Sequence, residues 1–485
     1  MSPPGRLQPL NHHFASVLLR LLWQDRSCPF QTSKDFLTRR KVWSRRPGAR
    51  ARGKNLRWAM WALLFGGAGV AAQTPPPVDH FRYTAWAGFD YTDNRQRSRS
   101  DGTSDLLFAP GFSYSVLHSG RRWRLRGEGE LRLERKGLDD GVDPRARAAL
   151  MVDFALLPQR LYWNLQDFAE VQSVDPQAPN DPSNRQQTNL LQTGPILLLG
   201  SPSTYLARIE AQVARADAER TPDFDHRRHL LSAWVTRQTD PVQSWAAGLE
   251  STAVDFQRGF GVRDFQRDDL LLRHQRELPR GAFAVTLGYS SIDPQVGARL
   301  SRPLAHIKLR YSPNISHEFG TLVRYELSDA GRELSQERNP LDPFRYEARR
   351  ALIGTDLYRL AAVDASWKWQ GVKTQLRLNA FGRDYDYLRS GPQALESSRG
   401  LQLGLTRELT PLTRIHANAA SERFAFVDSA RSDRDNFFSV GYERDLNPRW
   451  KLRAGLARQQ RSSNLAVAEY AENSASLYLI YTGGR

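Results

Sequence analysis

Apolar and polar residues alternate along most of the chain beyond residue 80. In RRWRLRGEGELRLER, residues 121–135, apolar or small residues occupy every odd position from Trp123 to Leu133, and charged residues occupy the even positions. The same period recurs in TYLARIEAQV, PLAHIKLRY, GTLVRYELS and VKTQLRLNA. Successive side chains of a β-strand point to opposite faces. The pattern therefore predicts strands with one apolar and one polar face.

Short and long connections alternate between these segments. Tight turns are expected at nine places: 118–120, 157–159, 200–202, 239–242, 278–280, 312–315, 370–371, 410–412 and 447–448. Between them lie ten longer polar stretches, such as TDNRQRSRSDGTS and VDSARSDRD. Nineteen connections predict about 20 strands, within a range of 18–22. Two segments, TNLLQTGPILLLG and the stretch around Ser421–Phe426, do not alternate cleanly.

Strand length, connection length and tryptophan position favour a membrane barrel over a soluble β-sandwich. Strands of 9–15 residues suit a bilayer crossing better than an ordinary globular sheet. Short turns at one end and long loops at the other are typical of outer-membrane barrels. Seven of the eight tryptophans after residue 72 lie within about four residues of a tight turn, where a periplasmic aromatic girdle is expected: Trp123, Trp163, Trp234, Trp245, Trp367, Trp369 and Trp450. We therefore predict an all-β fold, a closed antiparallel transmembrane β-barrel with short periplasmic turns and long extracellular loops.

A barrel of this size has an interior too wide for single side chains to fill. The charged faces of the strands are then candidates for the wall of the lumen: Arg122, Arg124, Arg126, Glu128, Glu130, Arg132, Arg208, Glu210, Lys308, Arg310, Arg324, Glu326, Lys373 and Arg377. Opposite charges on such a wall can simply pair across strands in water. They can also select ions, or follow an acidic polysaccharide. The longest candidate for a loop that plugs the lumen is residues 330–350.

The N-terminal 72 residues differ in charge from the rest of the chain. They carry 13 of the 69 Lys and Arg but 2 of the 52 Asp and Glu, and they include Cys28, the single cysteine. A basic segment, an apolar core from Ala59 and small residues before a cleavage site between Ala72 and Gln73 predict a secretory signal peptide. The true start of translation is expected near residue 42 or later, unless the basic segment is a disordered extension. Residues 73–80 are then a linker, and residues 81–485 form the barrel.

Without the leader, the chain is nearly balanced in charge. Residues 73–485 carry 56 basic and 50 acidic side chains, although the whole chain has a formal net charge of +17. A dedicated nucleic-acid surface is therefore not expected. A mature chain that lacks cysteine also suits an oxidising compartment.

One segment resembles a known family. LPQRLYWNLQDFAEVQSVDPQAPNDPSNRQQTNLLQTGP, residues 157–195, is similar to an uncharacterised family of predicted outer-membrane β-barrels associated with PEP-CTERM/exosortase and exopolysaccharide loci in Gram-negative bacteria. The shared features are a P-Q-R-L-x-W turn, a D-P-x-x-P loop, N-R-Q-x-T-N and a closing T-G-P, together with GFDYTDN after the signal peptide. The resemblance implies an outer-membrane location and a role near polysaccharide export. It transfers no catalytic residues.

No catalytic, cofactor or metal motif emerges from the sequence. The histidines are scattered, a GxSxG motif is absent, and Asp175 and Asp181 in DPQAPNDPSN are explained better by a plain loop than by calcium. We therefore expect a non-enzymatic, porin-like channel or an export partner for exopolysaccharide. Its expected partners are outer-membrane lipid, the barrel-assembly machinery, and polysaccharide or small hydrophilic solutes. A barrel acting through its loops in structure or adhesion is the alternative. A barrel-embedded lipid or lipopolysaccharide hydrolase is a further one.

Overall fold

The computed structural model describes residues 79–484, except for residues 101, 136–141, 176, 180, 202–203, 259–262, 335–355, 389–394 and 428–429. Its strands are β1 His80–Thr92, β2 Asp105–Phe108, β3 Gly111–Ser119, β4 Trp123–Arg135, β5 Val142–Leu157, β6 Leu161–Ser173, β7 Arg185–Gly200, β8 Tyr205–Ala218, β9 His226–Asp240, β10 Gln243–Phe256, β11 Phe265–Leu278, β12 Gly281–Pro294, β13 Leu300–Asn314, β14 His317–Asp329, β15 Leu357–Gln370, β16 Thr374–Tyr387, β17 Leu395–Thr410, β18 Thr413–Phe426, β19 Ser432–Asp445, β20 Trp450–Ser463 and β21 Tyr470–Gly484. A short helix, α1, spans Ala330–Leu334, and single 3₁₀ turns lie at Pro182–Asn184, Pro222–Phe224 and Ala466–Ala468.

The strands form a closed antiparallel barrel of 20 strand positions. Each strand pairs with its neighbours in the sequence, and β1 closes the ring by pairing with β21 from Arg82 opposite Gly484 to Thr92 opposite Ser474. β2 and β3 occupy one position, because both pair with β1 in the same register. The break between them falls at Pro110, which has no N–H to donate. The predicted fold class and the strand number are confirmed.

A glycine lets the closing strands approach. Gly88 on β1 lies opposite Tyr478 on β21. A Cβ at Gly88 would lie 2.1 Å from the Leu477 carbonyl oxygen and 2.4 Å from the Tyr478 ring. The seam therefore has no room for a side chain at this position.

Short and long connections alternate around the barrel. The nine predicted turn positions coincide with the short connections, such as residues 241–242 between β9 and β10 and residues 279–280 between β11 and β12. The other end of the barrel carries ten connections, the longest of which joins β14 to β15. Both ends of the barrel-forming chain, His80 and Gly484, lie at the end with the short turns.

The outer face of the barrel is apolar. Large apolar side chains in the middle of many strands point outward and expose at least half of their surface: Leu231, Leu249, Leu270, Leu287, Leu401, Phe438, Leu456 and Leu477. Soluble proteins rarely expose a continuous apolar surface of this extent. The buried residues lie instead on the inner face.

Of the two segments that break the alternation, one packs against α1 inside the barrel and the other against the inward side chains of β15, β16 and β17. Leu190 on β7 faces inward and packs with Ala214, Phe224 and Leu334. Phe424 and Phe426 on β18 also face inward, in a cluster with Tyr358, Leu360, Tyr385 and Leu395. An inward position that meets another protein segment instead of water favours an apolar side chain. The irregular pattern therefore has a structural cause.

Several expectations concern residues outside the described ranges. The leader, the signal peptide and the cleavage site between Ala72 and Gln73 all lie there, as does most of the predicted linker. So does the greater part of the predicted plug segment, residues 335–350. Within the described ranges, no helix combines the length and apolar character that a membrane crossing requires.

Candidate functional site in the barrel lumen

Most of the predicted wall residues lie on inward faces. On β4, Arg124, Arg126, Glu128, Glu130 and Arg132 share the face that borders the lumen, and the last four line its cavity. Register places the other inward members of the set on β8, β13, β14 and β16: Arg208, Glu210, Lys308, Arg310, Arg324, Glu326 and Arg377.

Neighbouring opposite charges on this wall form ion pairs. Arg208 pairs with Glu210 along β8. Arg310 lies 3.9 Å from Glu277 on the other side of β12. Such pairs hold much of the wall charge in fixed positions.

Two predicted wall residues lie elsewhere. Arg122 lies in the turn between β3 and β4, and Lys373 lies in the turn between β15 and β16. Alternation continues through these residues in the sequence, but the chain has already left the sheet. Both predictions are therefore corrected: these two side chains belong to the short-turn rim.

Six of the seven tryptophans of the predicted aromatic girdle face outward. Trp123, Trp163, Trp245 and Trp450 point outward with 39–44% of their surface exposed, and Trp367 and Trp369 share the outward face of β15. Trp234 is wrong. Its indole Nε1 donates to Glu250 Oε1 at 3.1 Å, and the Arg273 guanidinium lies 4.5 Å from its ring centre. Its even position on β9 puts it on the inward face, beside Gly248.

Helix α1 lies inside the barrel. Ala330 and Leu334 pack against the inward side chains Leu190, Ala214 and Ala216 on β7 and β8. A Cβ on Gly331 would lie 2.2 Å from the Arg228 guanidinium, so α1 approaches β9 closely. Because α1 follows β14, it crosses a sector of the lumen between β14 and β8. The start of the predicted plug segment is thus found within the lumen.

The end of β14 bends inward to deliver this helix. β13 pairs with β14 only as far as Tyr325, and the next four residues, Glu326 to Asp329, are all buried. Leu327 packs with Val254, Phe265 and Ile292, which lie on β10, β11 and β12. The Leu327 carbonyl, which no longer faces β13, accepts a hydrogen bond from Arg267 on β11.

A network of charges anchors α1 in the lumen. Arg332 Nε lies 3.2 Å from Glu326 Oε2, and Arg332 Nη1 lies 3.6 Å from Asp269 Oδ2. Glu333 accepts from Arg324 at 3.0 Å. Burial alone would lower the pKa of Arg332, but the carboxylates of Glu326 and Asp269 raise it above its ordinary value. Arg332 therefore remains charged.

Asp329 forms the second anchor. Its carboxylate binds the Arg228 guanidinium on β9, and its Oδ1 accepts from the Arg332 backbone N–H at 3.1 Å. The second contact is an N-cap for α1. Sequence reasoning missed Asp329, Arg228, Arg267, Asp269 and Arg332. Each looks like an ordinary charged residue in its strand or loop, and only the arrival of α1 gives it a partner.

Beside α1, the lumen contains a cavity of about 1470 Å³. Its lining reaches from residues near the short turns, such as Leu117 and Thr482, to residues at the long-loop end, such as Phe265 and Asp329. Eight arginines and five carboxylates line it, with Trp86. The arginines are Arg82, Arg126, Arg132, Arg147, Arg228, Arg267, Arg332 and Arg453. Three of these arginines pair with carboxylates outside the lining: Arg132 with Asp90, Arg267 with Asp269 and Arg332 with Glu326.

The β6–β7 connection reaches over the long-loop end of the barrel. Arg431, just before β19, donates through Nη2 to the Gln177 carbonyl at 2.7 Å. The loop is ordered from within: Asn184 Nδ2 donates to the carbonyls of Asp175 and Pro179, and Asp181 accepts from the Ser183 and Asn184 backbone N–H groups. Asp175 Oδ1 accepts from the Gln177 backbone N–H at 2.8 Å, so the carboxylates of both Asp175 and Asp181 bind backbone groups of their own loop.

No three His, Cys, Asp or Glu side chains in the described part of the chain come together to hold a metal ion. The most deeply buried histidine, His226, is held by its neighbours. Its Nδ1 lies 2.6 Å from the Phe224 carbonyl, and its Nε2 accepts from Arg228 at 2.8 Å. These contacts place His226 beside Arg228, in the network of charges that anchors α1.

No protein-family model matches the sequence, and no curated protein matches it. Among solved structures, the chain is similar to OccK2 (OpdF) from Pseudomonas aeruginosa in complex with glucuronate, at 9% identity over 84% of this chain and 98% of that one, with a TM-score of 0.39. It is also similar to a mutant of the ferric enterobactin receptor PfeA from the same organism, at 9% identity over 84% and 80%, with a TM-score of 0.43. A third is the FrpB iron transporter from Neisseria meningitidis, at 8% over 84% and 81%, with a TM-score of 0.42. At these values nothing about the ligand of this chain follows from the likeness.

Proposed function

We propose that this protein is an outer-membrane channel of a Gram-negative bacterium through which hydrophilic solutes pass. Its apolar outer face suits lipid, since a closed barrel leaves no strand edge unpaired in the bilayer. The six outward tryptophans lie at the short-turn end, where an interfacial girdle would be wetted. This end then faces the periplasm, and the long loops face outward. Lipid and the barrel-assembly machinery are the partners that such a barrel requires.

The observation that carries the channel proposal is the cavity that runs beside α1 from one end of the barrel to the other. Arginine and glutamate side chains line it, and such a wall keeps a passage hydrated. Arg82 and Arg126, in the short-turn half of the cavity, place positive charge beside the passage and favour anions. The neighbouring α1 narrows the passage, so the channel is expected to select by size and by charge.

A role in exopolysaccharide export is the more specific part of the proposal. It rests on the resemblance of residues 157–195 to barrels found near exopolysaccharide loci, and on a cavity wall that combines planar charged side chains with an indole. It is tested first by genetic context, since polysaccharide synthesis genes should flank this one.

The channel is tested in planar bilayers. The full chain, produced in a Gram-negative host and purified from its outer membrane, should conduct. A KCl gradient should give a reversal potential of the sign for chloride preference. Replacing Arg82 and Arg126 by Gln should shift that potential toward potassium, because both line the cavity. Arg299→Gln, an exposed change in the β12–β13 connection outside the cavity, is the matched control.

Three results would contradict the proposal. A folded barrel that never conducts would favour the structural or adhesive alternative. Hydrolysis of phospholipid or lipopolysaccharide that depends on one Ser or His would favour a barrel-embedded enzyme. Unchanged ion selectivity in the variant that carries both Arg82→Gln and Arg126→Gln would mean that these lumen charges do not select ions.

A further inference from the structure

One part of the cavity wall has a regular geometry that the channel proposal does not use. On β1, β3 and β4, the inward residues stand in rows. The rows, from the long-loop end, are Trp86, Gly111 and Arg132; Thr84, Ser113 and Glu130; and Arg82, Ser115 and Glu128. Small residues on β3 thus separate two banks of larger side chains. The banks are two strand spacings apart, about 9–10 Å.

Trp86 is held flat against the floor between the banks. A Cβ on Gly111 would lie 2.1 Å from Cζ2 and 2.7 Å from Nε1 of the Trp86 indole, so the ring covers the glycine. Trp86 is nevertheless only half-buried and borders the cavity. It differs from the girdle tryptophans, which point outward. One face of an apolar ring is thus fixed inside a polar channel.

The Arg132 side chain, which starts on β4, crosses the floor toward β1 and β21. Arg132 Nη2 lies 3.1 Å from the Tyr478 hydroxyl and also binds Asp90. The Tyr478 hydroxyl donates to Asp90 in turn. Next along β4, Glu130 and Glu128 line the same cavity. Planar donors and acceptors from β1 and β4 thus border the cavity around Trp86.

We infer that this surface is a binding track for an acidic oligosaccharide, with Trp86 as its stacking platform; the inference rests on the proposed channel. The apolar face of a sugar ring packs on an indole, and planar Arg and Glu groups hydrogen-bond to neighbouring hydroxyls. Simple inorganic anions would use the arginines and would have no use for the indole or the two glutamates. Arg82, in the row with Ser115 and Glu128, places a guanidinium on this wall for the carboxylate of an acidic sugar.

The test uses tetramannuronate as an acidic probe, cellotetraose as a neutral one and acetate as a simple carboxylate. Tetramannuronate should bind the purified full-chain barrel saturably in calorimetry and should interrupt the channel current. Trp86→Leu should weaken this binding roughly 3- to 10-fold, the size expected for the loss of one aromatic contact. Trp86→Phe should recover part of it. Trp245→Leu, in the outward girdle, should leave it unchanged.

The outcomes separate the two proposals. A barrel that conducts but binds no tetramannuronate overturns the track and leaves the channel. A barrel that binds tetramannuronate without conducting overturns the channel and leaves the track. Equal binding of acetate, tighter binding of cellotetraose, or unchanged binding in a folded Trp86→Leu variant also overturns the track. Heat-modifiable mobility in electrophoresis reports whether each variant is folded.

Discussion

At the scale of single residues, the inner surface of the barrel carries charged side chains, and those that anchor α1 are held in ion pairs. Asp329 is 6% exposed and holds both Arg228 and the first turn of α1. Charges of this kind are costly to bury alone, so each depends on its partner. The residues that anchor α1 are therefore the ones at which single substitutions matter most.

Asp329→Asn is expected to lower the free energy of unfolding by about 3–5 kcal/mol, because it leaves the Arg228 guanidinium buried without its carboxylate. The measurement is the denaturant midpoint of the barrel in micelles, read from heat-modifiable mobility. Hydrogen exchange in α1 should also accelerate. Asp386→Asn is the matched control, because Asp386 pairs with Arg359 in an exposed ion pair. Such a pair contributes about 0–1 kcal/mol. Equal effects of the two changes would contradict a special role for Asp329.

At the scale of elements, α1 is the part of the structure that departs from a simple barrel. It is five residues long, too short to be stable alone. It persists because Ala330 and Leu334 fit an apolar patch on β7 and β8, and because the charges at Arg332 and Glu333 find partners. Packing and charge together hold it in the lumen.

Leu334→Asp should release α1 from β7 and β8 and enlarge the passage. Leu334 is 4% exposed, and burying a leucine contributes roughly 1.5–3 kcal/mol, which the charged side chain forfeits. The expected result is a larger single-channel conductance and faster hydrogen exchange in residues 330–334. Leu465→Asp, in the β20–β21 connection and 47% exposed, should change neither. Unaltered conductance with released α1 would mean that the helix does not narrow the passage.

At the scale of the whole molecule, the ends of the barrel differ in connection length, in tryptophan content and in the position of the termini. These differences fix an orientation once the barrel is in a membrane. The short-turn end should be periplasmic.

Single cysteines test this orientation, since the natural sequence has one cysteine, Cys28, in the predicted leader. Val467→Cys, 80% exposed in a long connection, should react with a membrane-impermeant maleimide on intact cells. Val372→Cys, 98% exposed in a short turn, should react only after the outer membrane is permeabilised. The reverse labelling pattern would mean that the short turns face outward and the long loops face the periplasm. Labelling at both sites in intact cells would mean that the protein does not span a sealed outer membrane.

Much of this architecture was predictable from the sequence because it is local. A two-residue period on a strand such as RRWRLRGEGELRLER specifies two faces, and a slip by one residue would turn its charges outward. The turns and the number of strands follow from the same local signals, and six of the seven tryptophans predicted near short turns face outward. Trp234 was misassigned because proximity to a turn does not reveal which face a residue takes; Trp234 has the parity of the inward row.

The position of α1 in the lumen could be determined only from the tertiary structure. The sequence signalled α1 only through a defect in the pattern at Leu190, where an apolar residue stands on a face that water would otherwise wet.

The sequence by itself thus determined a closed barrel with a charged interior, since hydrogen bonding and side-chain alternation act between neighbours along and across strands. Tertiary structure decided where α1 lies, which charges pair, and where the cavity and Trp86 meet. Those contacts join strands that are not neighbours in the ring, such as β9 with β14 and β11 with the end of β14. Their energies depend on distance and on exclusion of water, and neither quantity is encoded in a repeating pattern.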